Sequence, residues 1–245
     1  MLIQETISKL RNMRLTGMLQ SLEEQINSQK FNDLDFFERL SLMVDREETL
    51  RNDRRFKTRV KQAKFKESNA CMEDVNYKAR RNLSKQQFIR LGTNAYIKEK
   101  KDIIFTGATG AGKSWLAQAL GHSACEKGYT SKFQRISKLF TEIQTAKADG
   151  SYGKYMERMA KYDLLILDDW GIAPFGLEEA RDIFELIEDR HKSKSTIFTS
   201  QVPVKNWFEI IGEPTIADAI MDRLINNSYI IDLQSVDSLR KSKND

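Results

Sequence analysis

The chain is poor in the residues that define several protein classes. Its 245 residues include two cysteines, Cys71 and Cys125, three prolines and two histidines, with no CxxC pair. This composition argues against a disulfide framework and a zinc site, so we expect a cytoplasmic protein in a reducing environment. Apolar runs fall short of the ~18 residues that a membrane span needs. The charged first turns, MLIQETISKLRN, are not typical of a signal peptide, and we expect no membrane association.

Acidic residues are nearly missing from one basic stretch. The net charge is +5, and residues 51–100 carry 15 basic and 5 acidic groups. Residues 1–50 carry 6 and 9, and residues 101–245 carry 19 and 21. The basic run comprises Arg51, Arg54, Arg55, Lys57, Arg59, Lys61, Lys64 and Lys66, against Asp53 alone. Because i,i+4 pairing cannot neutralise such a run, it favours binding to the DNA backbone with little sequence specificity. The alternative is a solvated helix.

The first part of the chain has a helical pattern. Apolar residues recur at helical spacing at Leu15, Met18, Leu19, Leu22 and Ile26. Asp33 or Asp35 is placed to cap a second helix, which continues into the basic run. We expect a small all-helical domain over residues 1–66. Residues 67–100 are then a linker and a helix near Ser84–Gly92, leading into a core over residues 101–245.

The pattern changes after Lys101, where short apolar strands alternate with helices. The strand candidates are 102–106, 131–135, 163–168 and 195–200, and the helix candidates are 113–127, 137–147 and 177–191. Alternation of this kind is typical of a parallel sheet with helices on both faces. The sequence therefore predicts an α/β fold, a three-layer αβα core preceded by the helical domain.

A glycine-rich segment between the first strand and its helix matches the phosphate-binding pattern G-x-x-x-x-G-K-[ST]. Glycines let the backbone amides turn toward phosphate oxygens, and the following helix adds its positive end. Lys113 would reach the β- and γ-phosphates of ATP, and the Ser114 hydroxyl would bind Mg²⁺. The predicted nucleotide-binding residues are Gly107, Ala108, Thr109, Gly110, Ala111, Gly112, Lys113, Ser114 and Trp115.

Two carboxylates follow the buried strand Leu164-Leu165-Ile166-Leu167. In open parallel sheets, ligands bind at the carboxyl ends of the strands. We expect Asp168 to hold Mg²⁺ through water and Asp169 to polarise the attacking water. A further strand ends in Ser200-Gln201, and either residue could contact the γ-phosphate or that water.

These three elements, in this order, resemble the AAA+ ATPases, and within them the IstB-like ATP-binding proteins that help a transposase. The related DnaC-type helicase loaders share the pattern. The resemblance extends over nearly the whole chain. It includes the opening helix at residues 9–18 and two strand ends, Leu167-Asp168-Asp169-Trp170-Gly171 and Thr199-Ser200-Gln201-Val202-Pro203.

The resemblance implies further site residues. Arg223, in ADAIMDRL, matches an arginine finger that acts in trans on a neighbouring subunit, and Arg240 matches a second nucleotide-sensing arginine. Leu239 stands where relatives tend to have an aromatic residue, which weakens the match of Arg240. Residues 139–160 occupy the position of an extra helix associated with nucleic-acid contact, and Lys147, Lys154 and Arg158 are its candidate phosphate contacts.

The resemblance also implies a function. We expect an ATPase, slow alone and stimulated by DNA or a partner, that assembles as a homo-oligomer on duplex DNA with ATP between subunits. Its implied role is to help a transposase engage target DNA during transposition. A replicative helicase loader, which favours single-stranded DNA, shares this chemistry. A small-molecule kinase and a nucleotide switch that scarcely hydrolyses ATP are the remaining alternatives.

Overall fold

The computed structural model describes residues 2–79 and 81–234, which divide into two compact units after Thr58. This division differs from the predicted boundaries at 66 and 100. Residues from Arg59 onward belong to the second unit, because Val75, Phe88 and Tyr96 are buried in its core. Within the described residues, every helix is too short or too polar to cross a membrane.

The first unit consists of helices, as the sequence predicts. These are α1 Leu2–Asn12, α2 Thr16–Asn27 and α3 Phe36–Ala63, with the division between the units falling inside α3. Of the two predicted caps, Asp35 begins α3: its Oδ1 accepts a hydrogen bond from the Glu38 backbone N–H at 2.8 Å. Glu38 Oε2 accepts one from the Asp35 backbone N–H at 2.8 Å, which completes a capping box.

A buried carboxylate joins α2 to α3. Glu47 of α3 is 6% exposed, and its Oε2 accepts a hydrogen bond from the Gly17 backbone N–H at 2.6 Å. Burial acts to raise the pKa of Glu47, but the bond from Arg51 and those from the Gly17 and Met18 amides together lower it. A side chain at position 17 would begin 2.5 Å from Glu47 Cα, so only glycine permits this approach.

The second unit contains the remaining elements. Before the sheet lie α4 Lys85–Gly92 and α5 Ala95–Lys98. The sheet and its connections are β1 Asp102–Gly107, α6 Lys113–Glu126, β2 Ser131–Arg135, α7 Ile136–Ala148, α8 Tyr152–Lys161, β3 Leu164–Trp170, α9 Leu177–Arg190, β4 Ser195–Ser200, α10 Trp207–Ile211, α11 Pro214–Ile225 and β5 Ser228–Leu233. The four predicted strands and three predicted helices are present. The fifth strand, β5, was not predicted.

The five strands are parallel and lie in the order β2-β3-β4-β1-β5. One apolar cluster packs α7, α8, α9, α10 and α11 against one face, and a second packs α4, α5 and α6 against the other. These layers confirm the predicted three-layer α/β fold. Because the strands are parallel, the carboxyl ends of β1, β3 and β4 lie at one edge, where ligands bind in such sheets.

The opposite, amino edge of the sheet is held by a buried guanidinium. Arg190 is 2% exposed and donates to the carbonyl oxygens of Met159, Ala160, Tyr162 and Ser195 and to the Thr196 hydroxyl. Asp102 lies at the same edge, and its Oδ1 accepts a hydrogen bond from the Thr196 backbone N–H at 2.6 Å. Burial raises the pKa of Asp102 to about 7, although the Thr196 bond and the charge of Arg190 oppose this.

We expect Asp102 to make folding pH-dependent. Its carboxyl group ionises near pH 4 in the unfolded chain and near pH 7 when folded, so stability falls as pH rises through the folded pKa. The free energy of unfolding should drop by about 1.4 kcal/mol between about pH 6 and about pH 8. Asp102→Asn keeps an acceptor oxygen and should remove this part of the slope in urea unfolding. Asp189→Asn, at an exposed position, is the control, and an unchanged slope in Asp102→Asn would contradict the assignment.

Candidate nucleotide site

The predicted phosphate loop connects β1 to α6, as its sequence pattern requires. Gly107, Gly110 and Gly112 have φ values of +137°, +85° and +88°, a region that side chains disfavour. A Cβ atom at Gly107 would lie 2.2 Å from the Leu233 carbonyl oxygen of β5, so this strand end admits only glycine. The loop leads directly into α6, whose first turn forms the positive end of the helix.

Lys113 lies in the first turn of α6 with its side chain across the loop. Its Nζ donates to the carbonyl oxygens of Gly107 at 2.6 Å and Ala108 at 2.9 Å. Ser114 follows in the same turn and is half-buried. Trp115 is also half-buried and packs against the core of the α6 face, so its ring takes part in core packing.

Arg81, which the sequence pattern did not single out, supports the loop from behind. It is 3% exposed, and its Nη1 donates to the Ala111 carbonyl oxygen at 3.2 Å. The C=O and N–H of one trans peptide point in opposite directions. Because the Ala111 carbonyl faces Arg81, the Gly112 amide points away from Arg81. Arg81 reaches the phosphate loop because the chain folds back on itself. A local sequence pattern cannot predict such a contact.

The two predicted aspartates lie at the end of β3, and a threonine of the neighbouring strand holds both. Thr199 Oγ1 donates to Asp168 Oδ1 at 2.6 Å and accepts from the Asp169 backbone N–H at 3.2 Å. Asp168 is 3% exposed, whereas the Asp169 side chain is 34% exposed. Asp169 has a φ of +62°, and the pairing of β3 with β4 shifts register there. Asp168 is therefore enclosed beside β4, whereas the Asp169 carboxylate is partly open to solvent.

The electrostatics of Asp169 suit a group that takes up a proton. Burial raises its pKa, and the neighbouring Asp168 charge raises it further. The cations of Arg135, Lys113 and Lys66 act in the opposite direction, and Arg135 Nε lies 3.8 Å from Asp169 Oδ2. Arg135 is the last residue of β2, at the same edge of the sheet. Its proximity to the aspartates could therefore have been predicted from the parallel strands. The net effect is a raised pKa.

Ser200 and Gln201, left as alternatives by the sequence, differ in their surroundings. Ser200 is fully buried, where its hydroxyl donates to the Trp170 carbonyl oxygen at 2.7 Å and accepts from the Val202 amide at 3.0 Å. Gln201 is exposed, and its Oε1 accepts a hydrogen bond from the Thr109 hydroxyl of the phosphate loop at 2.7 Å. Gln201 is therefore the better placed of the two to reach a phosphate.

These residues fit ATP with Mg²⁺. Three glycines with positive φ form a concave backbone at a helix N-terminus, which is suited to phosphate oxygens. The Ser114 hydroxyl and the Asp168 carboxylate offer the oxygen ligands that Mg²⁺ prefers, leaving other positions for water and phosphate. Within residues 2–79 and 81–234, no cluster of three or more histidine, cysteine or acidic residues forms an all-protein metal site.

The predicted arginine finger is on α11 and engaged within its own chain. Arg223 pairs with Glu188 of α9, donates to the Ala219 carbonyl oxygen at 2.8 Å and lies 5.1 Å from the centre of the Phe184 ring. Its side chain is 24% exposed. To serve a neighbouring subunit, Arg223 would exchange Glu188 for a phosphate. Arg240 lies outside the described residues.

The extra helix predicted over residues 139–160 is two helices, α7 and α8, separated at Asp149–Ser151. Gly150 at the break has a φ of +76°. Lys147 pairs with Asp182 at 2.8 Å and Glu178 at 3.2 Å, so its charge is balanced within the chain. Lys154 is exposed, and the guanidinium of Arg158 lies 5.2 Å from the centre of the Tyr155 ring. The last two remain the better candidates for phosphate contact.

The basic run occupies the last turns of α3 and the segment that follows. Two of its members have partners: Arg51 Nε donates to Glu47 at 2.6 Å, and Arg59 Nε donates to the Cys125 carbonyl oxygen at 2.7 Å. The others are exposed, and they are Arg54, Arg55, Lys57, Lys61, Lys64 and Lys66. Within the described residues these six form no ion pair, so their side chains are open to solvent.

Comparison with known structures supports the fold. The chain resembles the crystal structure of DnaI, with a TM-score of 0.57 and 21% identity over 67% of this chain and 91% of that one. It also resembles the DnaC helicase loader, with a TM-score of 0.56 and 18% identity over 67% of this chain and 97% of the loader chain. At these identities the likeness shows the fold alone.

Comparison with known sequences shows the family. The profile of the IstB-like ATP binding proteins matches residues 8–245. An insertion sequence ATP-binding protein of Sinorhizobium fredii is 41% identical over 99% of this chain and 98% of its own length. The IS1162 ATP-binding protein of Pseudomonas fluorescens is 42% identical over 83% of this chain and 88% of its own. The chain, whose phosphate loop and paired aspartates meet at one sheet edge, therefore belongs to the IstB-like ATP-binding proteins of insertion sequences.

Proposed function

We propose that this ATP-binding protein hydrolyses ATP while assembled on duplex DNA, and that it helps a transposase engage its target. One observation supports the proposal that the protein hydrolyses ATP. Thr199 bonds both Asp168 and Asp169, and Gln201, two residues later on the same strand end, bonds Thr109 of the phosphate loop. The carboxylates and the phosphate loop are thereby fixed to one another through β4. Asp169, which is not needed to hold Mg²⁺, is then available to act on a water.

In this proposal each residue has a distinct role. Lys113 and the loop amides would bind the phosphates. Ser114 and Asp168 would hold Mg²⁺, which would supply positive charge to the β- and γ-phosphates. Asp169 orients a water and accepts its proton as the water oxygen bonds to the γ-phosphorus and the bond to ADP breaks. Its raised pKa is consistent with that task. Gln201 contacts the γ-phosphate or the attacking water.

The shared site and the DNA surface extend the proposal. Arg223 would stabilise charge on the γ-phosphate of a neighbouring subunit, so that a homo-oligomer has ATP at each subunit contact. The exposed cations of the basic run, with Lys154 and Arg158, would bind DNA phosphates without reading bases. The relatives' names place those proteins in insertion sequences, which favours a transposase partner. A helicase loader of the same fold would instead prefer single strands, so affinities for duplex and single-stranded DNA separate the two.

Lys113→Ala should abolish ATP binding, because no other side chain in the loop carries positive charge to the phosphates. The loss should be about a hundredfold or more in affinity for a fluorescent ATP analogue, measured by titration. Lys127→Ala, at the exposed end of α6, is the matched control. Normal affinity in Lys113→Ala would refute the phosphate-loop assignment.

Arg223→Ala should keep ATP binding and lose turnover by roughly a thousandfold, the usual effect of removing an arginine finger. Glu188→Gln, which removes the cis partner of Arg223 but keeps the arginine, is the control and should remain active. A fully active Arg223→Ala chain would contradict the shared site.

Mixing supplies a sharper readout of the same prediction. Lys113→Ala and Arg223→Ala chains, each inactive alone, should regain activity when combined, because about a quarter of the shared sites in a random assembly then hold both residues intact. If the mixture stays inactive while both variants still assemble, the arginine does not act across subunits.

Neutralising Arg54, Arg55, Lys57 and Lys61 to glutamine should weaken duplex binding at low salt. Each lost phosphate contact should reduce the slope of log affinity against log salt by roughly 0.9. The control removes the same charge at the exposed positions Lys98, Lys127, Lys192 and Lys205. Duplex affinities are measured by fluorescence anisotropy. Equal affinities of the two quadruple variants would show that the basic run is an ordinary solvated helix.

A further inference from the structure

The end of the basic run lies lengthwise along α6, the helix that begins in the phosphate loop. Arg59 bonds the Cys125 carbonyl oxygen in the last turn of α6 at 2.7 Å. The Phe65 and His122 rings are 4.4 Å apart, and His122 Nε2 lies 3.3 Å from the Glu67 carbonyl oxygen. The segment 59–67 therefore runs from the far end of α6 toward the nucleotide site.

The fit between this segment and α6 is close. A Cβ atom at Gly121 would lie 2.7 Å from the Phe65 ring and 2.9 Å from Ile166 of β3. Any side chain at that position would push either the segment or the sheet away from α6. The segment thus packs closely against the helix.

A fully buried glutamine links the segment to the first turn of α6. Gln118 Oε1 accepts hydrogen bonds from the Lys66 backbone N–H at 2.6 Å and the Glu67 backbone N–H at 2.8 Å. Gln118 Nε2 donates to the Ser114 carbonyl oxygen at 3.0 Å. The donors and the acceptor fix which end of the carboxamide is oxygen, and the residue has no exposed surface.

We propose that residues 59–67 are a coupling segment through which bound DNA changes the rate of ATP hydrolysis, with Gln118 as the positioning residue that transmits the change to Ser114. The proposal rests on the proposed function. Its DNA end consists of Lys61, Lys64 and Lys66, whose side chains are exposed. Its nucleotide end is Ser114, the residue assigned to Mg²⁺.

The physical basis is the cost of leaving a buried carboxamide without its partners. If DNA shifts the segment away from α6, the fully buried Gln118 Oε1 loses the two amides that donate to it, which is unfavourable for a buried polar group. The carboxamide therefore follows the segment, and its bond to the Ser114 carbonyl moves the first turn of α6. Movement of the segment at Lys66 and Glu67 therefore changes the position of Ser114.

The first test is Gln118→Met, which keeps the volume and removes both polar ends. The readout is the stimulation factor, the ratio of kcat with saturating duplex DNA to kcat without it. We expect this factor to fall toward one, by at least about fivefold, the lower end of the usual range for coupling between two sites. Affinities for a fluorescent ATP analogue and for labelled duplex are measured on the same preparations, as is the melting temperature.

A second variant changes the segment without touching the nucleotide site. Phe65→Ala removes the ring contact with His122 and leaves Gln118 and Ser114 intact, so it should lower the stimulation factor in the same way. Gln118→Glu keeps an acceptor for the two amides and should restore part of the coupling. Gln62→Ala, an exposed neighbour on α3, is the control and should behave as the wild type.

The outcomes separate coupling from structure and from the proposed function. An unchanged stimulation factor in Gln118→Met and Phe65→Ala would overturn the proposal, as would an equal loss of kcat with and without DNA. A wild-type chain that binds ATP and duplex but hydrolyses ATP at one rate would also overturn it, leaving the ATPase intact. A wild-type chain that does not bind duplex at all would refute the DNA-binding part of the proposed function and the coupling with it.

Discussion

The site depends on the parallel pairing of three neighbouring strands, β3, β4 and β1. Their common direction brings the phosphate loop, the paired aspartates and Thr199 to one edge of the sheet. The polar groups at this edge are then close enough to bond each other, as Thr199 does to Asp168 and Gln201 does to Thr109. A shift of β4 by one residue would turn Thr199 to the other face of the sheet and separate the aspartates from the loop.

Local patterns predicted the parts of the molecule that depend on local chemistry. The phosphate loop, the strand before it and the helix after it follow from glycine conformations and apolar runs, and Asp35 follows from helix capping. Strand β5 was missed because it lies at the edge of the sheet, where Ile230 is 45% exposed and the run is short and mixed. Such a strand is defined by its pairing with β1 more than by its composition.

The contacts missed from the sequence are long-range side-chain bonds to the backbone. The sequence predicted a linker from residue 67 up to the helix near Ser84–Gly92. Two side chains connect the ends of this stretch to the phosphate-loop helix: Gln118 accepts hydrogen bonds from the Lys66 and Glu67 amides, and Arg81 donates to the Ala111 carbonyl oxygen. Neither bond has a local signature, because the partners are 30 or more positions apart. The sequence likewise identified Lys147 and Arg223 as charged candidates, but it did not predict that their acidic partners lie on α9.

Glu47 has a consequence for how the first unit can meet a polyanion. Helix N-termini attract phosphate because their first amides lack acceptors. In α2 those amides, at Gly17 and Met18, already bond a carboxylate of the same unit. A phosphate arriving there would meet a like charge. The start of α2 is therefore closed to anions, and α2 itself, which carries Glu23 and Glu24 but no lysine or arginine, offers a polyanion no cation in its place.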